Sequence, residues 1–249
     1  MWGREIGSLD LDTSAGPSWK PLPVFLTTPF SAFGDEAGAW LWLAFARFSA
    51  LAAVAGVAEL VRREAGRGGA ALVAALVVLS PWWFFNGTLG NSEPLLVALI
   101  AWAAVAHRAD RVPLALGLGF AAALLRPEVW PFLLGYVVWL ERRGSVSRGT
   151  IAAGGVALLA LWTLPDLAGS DWDVSRAFGE RGSDSTGEAA MADVPFLAVL
   201  EDLLSQATAP VVLAAAIAAF ALPAARLWAG FGAAWALLVA AMAQAGLPN

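Results

Sequence analysis

The chain has 249 residues, of which 59% are hydrophobic and 14% charged, and its mean hydropathy is +0.68. This composition excludes an ordinary soluble domain, and because apolar stretches recur along the whole length it predicts a multi-pass membrane protein. The net charge of −5 argues against nucleic acid as a partner. The absence of cysteine excludes disulfides, thiolate metal sites and a cysteine nucleophile.

Residues 1–36 form a polar, acidic, proline-containing segment with no signal peptide and no preceding apolar helix. An upstream transmembrane helix usually carries such a segment across a membrane. We therefore expect the chain to be a fragment that lacks at least one helix before residue 1.

Apolar segments then follow one another to the end of the chain. Several are shorter than the ~20 residues that cross ~30 Å of hydrocarbon, but together they predict an all-α bundle of about seven or eight transmembrane helices. The stretch 112–140 is either one kinked helix or two helices separated by Arg126-Pro127-Glu128. The segments are 37–61, 69–85, 94–106, 112–125, 129–140, 150–164, 209–225 and 227–243.

Basic and acidic residues lie in different connections between the apolar segments, and the two kinds of connection alternate along the chain. One set of turns carries nine arginines, whereas the intervening connections hold sixteen of the twenty acids. The positive-inside rule places the arginine-bearing turns in the cytoplasm and the acidic connections outside a plasma membrane. The nine are Arg62, Arg63, Arg67, Arg108, Arg111, Arg142, Arg143, Arg148 and Arg226.

We expect a single transmembrane domain over 1–249, with an outer-face segment at 1–36 and six helices within 37–164. An outer loop at 165–207 and a last helix pair within 208–249 complete it. Within the outer loop, apolar residues of 194–204 fall on one helical stripe. This pattern indicates either an amphipathic helix at the membrane interface or a connecting helix packed on the bundle.

Three short clusters on the outer side carry charge. Lys20, the only lysine, follows Trp19 and precedes prolines, so it is either a fixed phosphate ligand or an anchor among lipid headgroups. Glu93 opens a helix that Ser92 can cap, Pro94 suits the first turn, and the carboxylate favours the positive end of the helix dipole, so the motif needs no function. Arg126 begins a charged turn with Glu128, which is either a paired turn or a cationic group facing a polar cavity.

These clusters, taken in order, resemble motifs of the bacterial GT-C glycosyltransferases, polytopic enzymes that use polyprenyl-phosphate sugars. In that superfamily a Ser-Glu-x-Leu helix opening is followed by a basic turn and a helix that ends in Leu-x-Arg-Pro-Glu. Residues 92–95 match the first element, and 125–128 match the second without the spacer residue. Residues 19–23 are similar to a Lys-Pro-Pro-Leu element whose lysine contacts the lipid-linked phosphate in some members. The likeness covers about residues 15–145.

The resemblance implies an inverting, mannosyltransferase-like enzyme at the outer face. Its donor would be a polyprenyl-phosphate-linked sugar, held with membrane lipid between the helices and with its phosphate at Lys20 and Arg126. Trp19, Glu93 and Glu128 would support that site. The essential acid of the superfamily lies in the first outer loop, a position that would fall before residue 1 here, and a fragment that lacks this acid would be inactive. The nearest candidates are Asp10 and Asp12.

The sequence identifies no cofactor. The superfamily leaves a divalent metal open, although the chain has no cluster of metal ligands. A transporter or flippase for a lipid or solute is the main alternative and predicts broken helices and internal repeats. A third possible function is that of a non-catalytic scaffold.

Overall fold

The computed structural model describes residues 2–13, 19–172, 192–206, 209–221 and 223–245. These residues form helices and turns and include no strand, which confirms the all-α class. Three helices are long and apolar enough to cross a membrane, namely Asp35–Val78, Arg148–Ala168 and Ala225–Gln244, and two bent helix pairs would raise the number to five. The helices leave large apolar side chains such as Phe48 and Phe220 exposed, as expected for a membrane protein.

The chain divides into two compact units, Met1–Gly182 and Ser183–Asn249. The first unit begins with two helices that the sequence did not predict, α1 (Trp2–Ser8) and α2 (Pro21–Ser31). Prolines occupy the first turn of α2, where the missing N–H is not needed by the helix. A Cβ added to Gly3 would lie 2.6 Å from Thr27 Oγ1, so glycine is required for the close approach of α1 to α2.

Helix α3 (Asp35–Val78) is interrupted at Gly66, where φ is 70°. This interruption falls in the turn predicted between the segments 37–61 and 69–85. The prediction of one continuous span over 69–85 is wrong, because α3 ends at Val78 and α4 (Pro81–Leu89) begins anew. Pro81 causes the break, since a residue that precedes proline favours extended backbone and Ser80 has a ψ of 124°.

Four more helices are described in the first unit: α5 (Glu93–Arg108), α6 (Val112–Leu125), α7 (Trp130–Arg142) and α8 (Arg148–Ala168). The stretch 112–140 forms two helices, because Arg126 is extended (φ −143°, ψ 125°) and a 3-10 turn follows at Pro127–Val129. Helix α8 extends beyond the predicted 150–164, so the start of the predicted outer loop at 165 is helical.

The arginine-bearing turns meet at one end of the first unit, which we call the arginine rim. Arg108 of α5 pairs with Glu64 of α3 at 2.7 Å, and Arg148 of α8 pairs with Glu141 of α7 at 2.7 Å. Between these pairs, the Tyr136 hydroxyl of α7 lies 3.0 Å from the His107 ring of α5. The ends of α5, α7 and α8 therefore meet at this rim, together with the part of α3 next to its interruption at Gly66.

The second unit contains α9 (Pro195–Gln206), α10 (Ala209–Ala221) and α11 (Pro223–Gln244). The helix predicted at 194–204 is present, and the buried Val199 packs against Ala240 and Ala243 of α11. Part of the predicted stripe thus contacts another helix, whereas Leu204 is exposed. Arg226 lies within α11 rather than in a turn, and its guanidinium donates to the last carbonyls of α10.

Candidate functional site

Four charged side chains from separate segments meet at the end of the first unit that is opposite the arginine rim. Lys20 precedes the first residue of α2, and Glu93 is the first residue of α5. Arg126 follows α6, and Glu128 lies in the 3-10 turn that leads into α7. We call these four residues the Lys20 cluster. The sequence analysis placed Lys20, Glu93 and Arg126 on one rim, and the structure brings them together.

Arg126 is shared between two carboxylates. Its Nη2 donates to Glu93 Oε1, and its Nη1 lies 3.9 Å from Glu128 Oε1. Glu128 is only 5% exposed, and among the described residues its second oxygen, Oε2, is buried without a hydrogen-bond partner. A buried carboxylate oxygen normally has a partner, because removing it from water without one is costly. The cluster therefore contains one unused acceptor.

Lys20 is half-buried and makes no salt bridge with any carboxylate in the described part of the chain. Burial lowers the pKa of its ammonium below the usual 10.5, and the neighbouring Arg126 lowers it further. Glu93 and Glu128 act in the opposite direction but do not cancel these two effects. Lys20 is thus a cation that would gain from an additional anion.

Glu93 does more than begin a helix. Ser92 occupies the capping position of α5, but its side chain makes no capping hydrogen bond. Pro94 lies in the first turn, as predicted. Because Glu93 pairs with Arg126 across two helices, capping alone does not explain the motif.

Two tryptophans fix the backbone next to Arg126. The indoles of Trp130 and Trp162 both donate to the carbonyl of Ala123, each at 3.0 Å. Their rings meet edge to face at 5.9 Å, so α6, α7 and α8 are held together at this point. The sequence does not predict a role for either residue, because a tryptophan near a helix end usually indicates the membrane interface.

Trp19 is a core residue rather than an interfacial one. It is 3% exposed, packs against Trp2 with the ring centroids 5.6 Å apart, and donates to Leu161 O at 3.2 Å. The backbone that carries Lys20 is thereby tied to α8. Trp19 thus supports the site by position and not by facing a ligand.

Asp10 and Asp12 lie on the exposed segment after α1. The amide of Asp10 donates to Glu5 O at 2.8 Å, and the amide of Asp12 donates to the Glu5 carboxylate at 3.3 Å. In the described part of the chain, the charged groups that act on Lys20 are Arg126, Glu93 and Glu128. The structure does not bring Asp10 or Asp12 into this cluster.

Among the described residues, no group of three or more histidine, aspartate or glutamate side chains is arranged to hold a metal ion. Comparison of the chain with protein-family models, with curated proteins and with solved structures found no match.

Proposed function

We propose that the Lys20 cluster binds the phosphate of a polyprenyl-phosphate-linked sugar and that the protein transfers this sugar to an acceptor. The observation that carries the proposal is the half-buried ammonium of Lys20, which has no salt bridge within the described residues although Arg126 beside it has two. The cluster has two cations and two carboxylates, and both carboxylates are paired with Arg126. A phosphodiester supplies one negative charge, which would pair with the ammonium of Lys20. Arg126 would act as a second donor to the phosphate while its carboxylates hold it in place.

The proposed reaction is a single displacement at the anomeric carbon. The acceptor hydroxyl gives its proton to a carboxylate, its oxygen forms the new bond, and the bond between carbon and phosphate oxygen breaks. The departing lipid phosphate keeps the electron pair, and the cations stabilise its added charge. Of the two carboxylates in the cluster, Glu93 is the more exposed and would be the one that a hydroxyl reaches. Asp10 and Asp12 stay predictions for this role.

We further propose that the bundle has seven or eight spans and that the Lys20 cluster faces outward across a plasma membrane. Helix α5 has 16 residues, a length of ~24 Å, and joins the Lys20 cluster to the arginine rim. Helices α6 and α7 connect the same two ends with 14 and 13 residues. Such short spans require local thinning of the bilayer. The positive-inside rule then puts the arginine rim in the cytoplasm.

A transfer assay tests the function. The full chain would be reconstituted in lipid nanodiscs with radiolabelled polyprenyl-phosphate mannose and glucose as donors. Lys20→Met keeps the length of the side chain but removes the charge, and we expect donor affinity to fall about 10- to 100-fold, the value of a charged hydrogen bond. Arg148→Met, which removes a cation on the arginine rim, is the matched control and should leave transfer unchanged. Equal donor affinity in wild type and Lys20→Met would exclude this site.

One observation favours transport as a second function. Helices α4 and α5 meet at an angle of 108°, so this segment is either a broken span or a re-entrant loop. The Asn91 side chain donates to Asn86 Oδ1 at 2.7 Å within the break. Broken helices with exposed polar backbone are typical of transporter binding sites. Movement of labelled lipid phosphate between leaflets, without any transfer of sugar, would favour this alternative.

A further inference from the structure

A cleft of about 300 Å³ lies between α1, α2 and the first turns of α3, apart from the Lys20 cluster. We call it the Trp42 cleft. Its volume falls at the lower end of the range of roughly 300–1,000 Å³ for small-molecule sites. A Cβ added to Gly38 would lie 3.1 Å from Phe30 O, so glycine at this position allows the start of α3 to pack closely on the end of α2 at the edge of the cleft. The side chains that line it are those of Arg4, Thr27, Phe30, Ser31, Asp35 and Trp42.

The charges of the Trp42 cleft cancel each other. Arg4 Nη1 lies 2.7 Å from Asp35 Oδ1 and 2.6 Å from Oδ2, and both side chains are largely exposed. A ligand with a net charge would be attracted by one partner and repelled by the other. The pair instead offers N–H donors and carboxylate acceptors side by side, which suits the hydroxyl groups of a neutral ligand.

The walls of the cleft are aromatic and carry hydroxyls. Trp42 is fixed, because its indole donates to Gly90 O at 3.0 Å. The hydroxyls of Thr27 and Ser31 donate to carbonyls of α2 and keep lone pairs that can accept. A ring face beside hydroxyls and an ion pair matches a sugar ring, which has an apolar C–H face and a polar edge.

The Trp42 cleft and the Lys20 cluster share a structural connection. Gly90, which accepts the Trp42 hydrogen bond, lies three residues before Glu93, and Glu93 pairs with Arg126. Lys20 and the cleft also lie at opposite ends of α2, whose 11 residues span ~16 Å. A molecule in contact with both sites must therefore be longer than one sugar ring.

We propose that the Trp42 cleft is the acceptor site and that it holds one ring of a neutral oligosaccharide, whose reacting hydroxyl extends along α2 to the Lys20 cluster. The identity of the bound molecule as an acceptor rests on the proposed function, whereas saccharide binding by the cleft does not. Asp35 and Arg4 orient the ring, and Trp42 supports its apolar face.

Binding of neutral trisaccharides tests the cleft directly. The full chain in nanodiscs would be titrated with maltotriose, mannotriose and cellotriose, and binding would be followed by saturation-transfer NMR. Asp35→Asn keeps the shape of the side chain but breaks the ion pair, and Ala39→Trp fills the cleft from an exposed position on its wall. Glu141→Gln breaks the ion pair with Arg148 on the arginine rim and is the matched control.

We expect at least one trisaccharide to bind wild type and Glu141→Gln equally. Asp35→Asn should weaken this binding about tenfold, the effect of one hydrogen bond to a charged group, and Ala39→Trp should abolish it. If no trisaccharide binds wild type, or if Ala39→Trp binds as well as wild type, the cleft is not a saccharide site. Saccharide binding without any sugar transfer would refute the proposed function and leave the cleft assignment standing.

Discussion

Replacing Arg126 by methionine tests how much of the local stability depends on its two carboxylates. Glu128 is 5% exposed, and within the described residues Arg126 is the cation that pairs with it, at 3.9 Å. At an effective dielectric constant of ~20, a pair of charges at this separation interacts by about 4 kcal/mol. Breaking a buried pair from one side costs about 3–5 kcal/mol, because the remaining charge stays buried. We expect Arg126→Met to lower the free energy of unfolding by about 3–4 kcal/mol.

A second substitution, Glu128→Met, distinguishes the loss of the contact with Arg126 from the cost of a buried carboxylate that has lost its cation. In the double variant Arg126→Met with Glu128→Met, no carboxylate is left in the buried position, so most of the lost stability should return. We expect a coupling energy of about 2–3 kcal/mol, which is within the range for residues in contact. Unfolding would be followed in mixed micelles with increasing denaturing detergent. Lys20→Met, which breaks no salt bridge within the described residues, is the control. A double variant whose loss equals the sum of the two single losses would refute this account of the cluster.

Three further predictions concern topology, packing and pH. Because the chain has no cysteine, Ser8→Cys and Ser145→Cys each create one labelling site, and an impermeant maleimide should label them from opposite sides of the membrane. Trp162→Phe should lose about 1 kcal/mol, seen as a lower melting temperature, because its hydrogen bond to Ala123 is removed. Burial lowers the pKa of Lys20, so the unfolded chain holds more protons and wild-type stability should rise as the pH rises towards 10.5. Lys20→Met should lack this rise, and identical pH profiles would contradict the assigned burial.

Local sequence signals predicted the parts of the fold that depend on neighbouring residues. The break at Arg126-Pro127-Glu128 separates α6 from α7 because proline ends the helical hydrogen bonding, and this can be read directly. The alternation of arginines predicted that the turns at Arg108 and Arg148 share a side, and the structure joins both to the same rim. The prediction of one span over 69–85 was wrong because it followed the continuous run of apolar residues, whereas Pro81 ends one helix and begins another.

Other features depend on tertiary contacts and could not be read from the sequence. Helices α1 and α2 are short and carry prolines or polar residues, so their stability comes from packing that begins at Gly3. Trp19 has the pattern of an interfacial residue, yet a partner 17 positions earlier in the chain, Trp2, covers it. The Trp42 cleft arises where three helices meet, and no single segment carries its pattern.

The Lys20 cluster combines two features that make the folded state less stable. Lys20 holds a charge that burial and Arg126 disfavour, and Glu128 keeps an oxygen that has no hydrogen-bond partner in the part of the chain that the structure describes. Neither is needed to join the helices, because the pair of Arg126 with Glu93 and the indoles on Ala123 already do so. In natural proteins, features that destabilise the folded state are usually found at functional sites. An anion at Lys20 would offset the first of these features, which is why we propose that this end of the bundle binds a phosphorylated ligand.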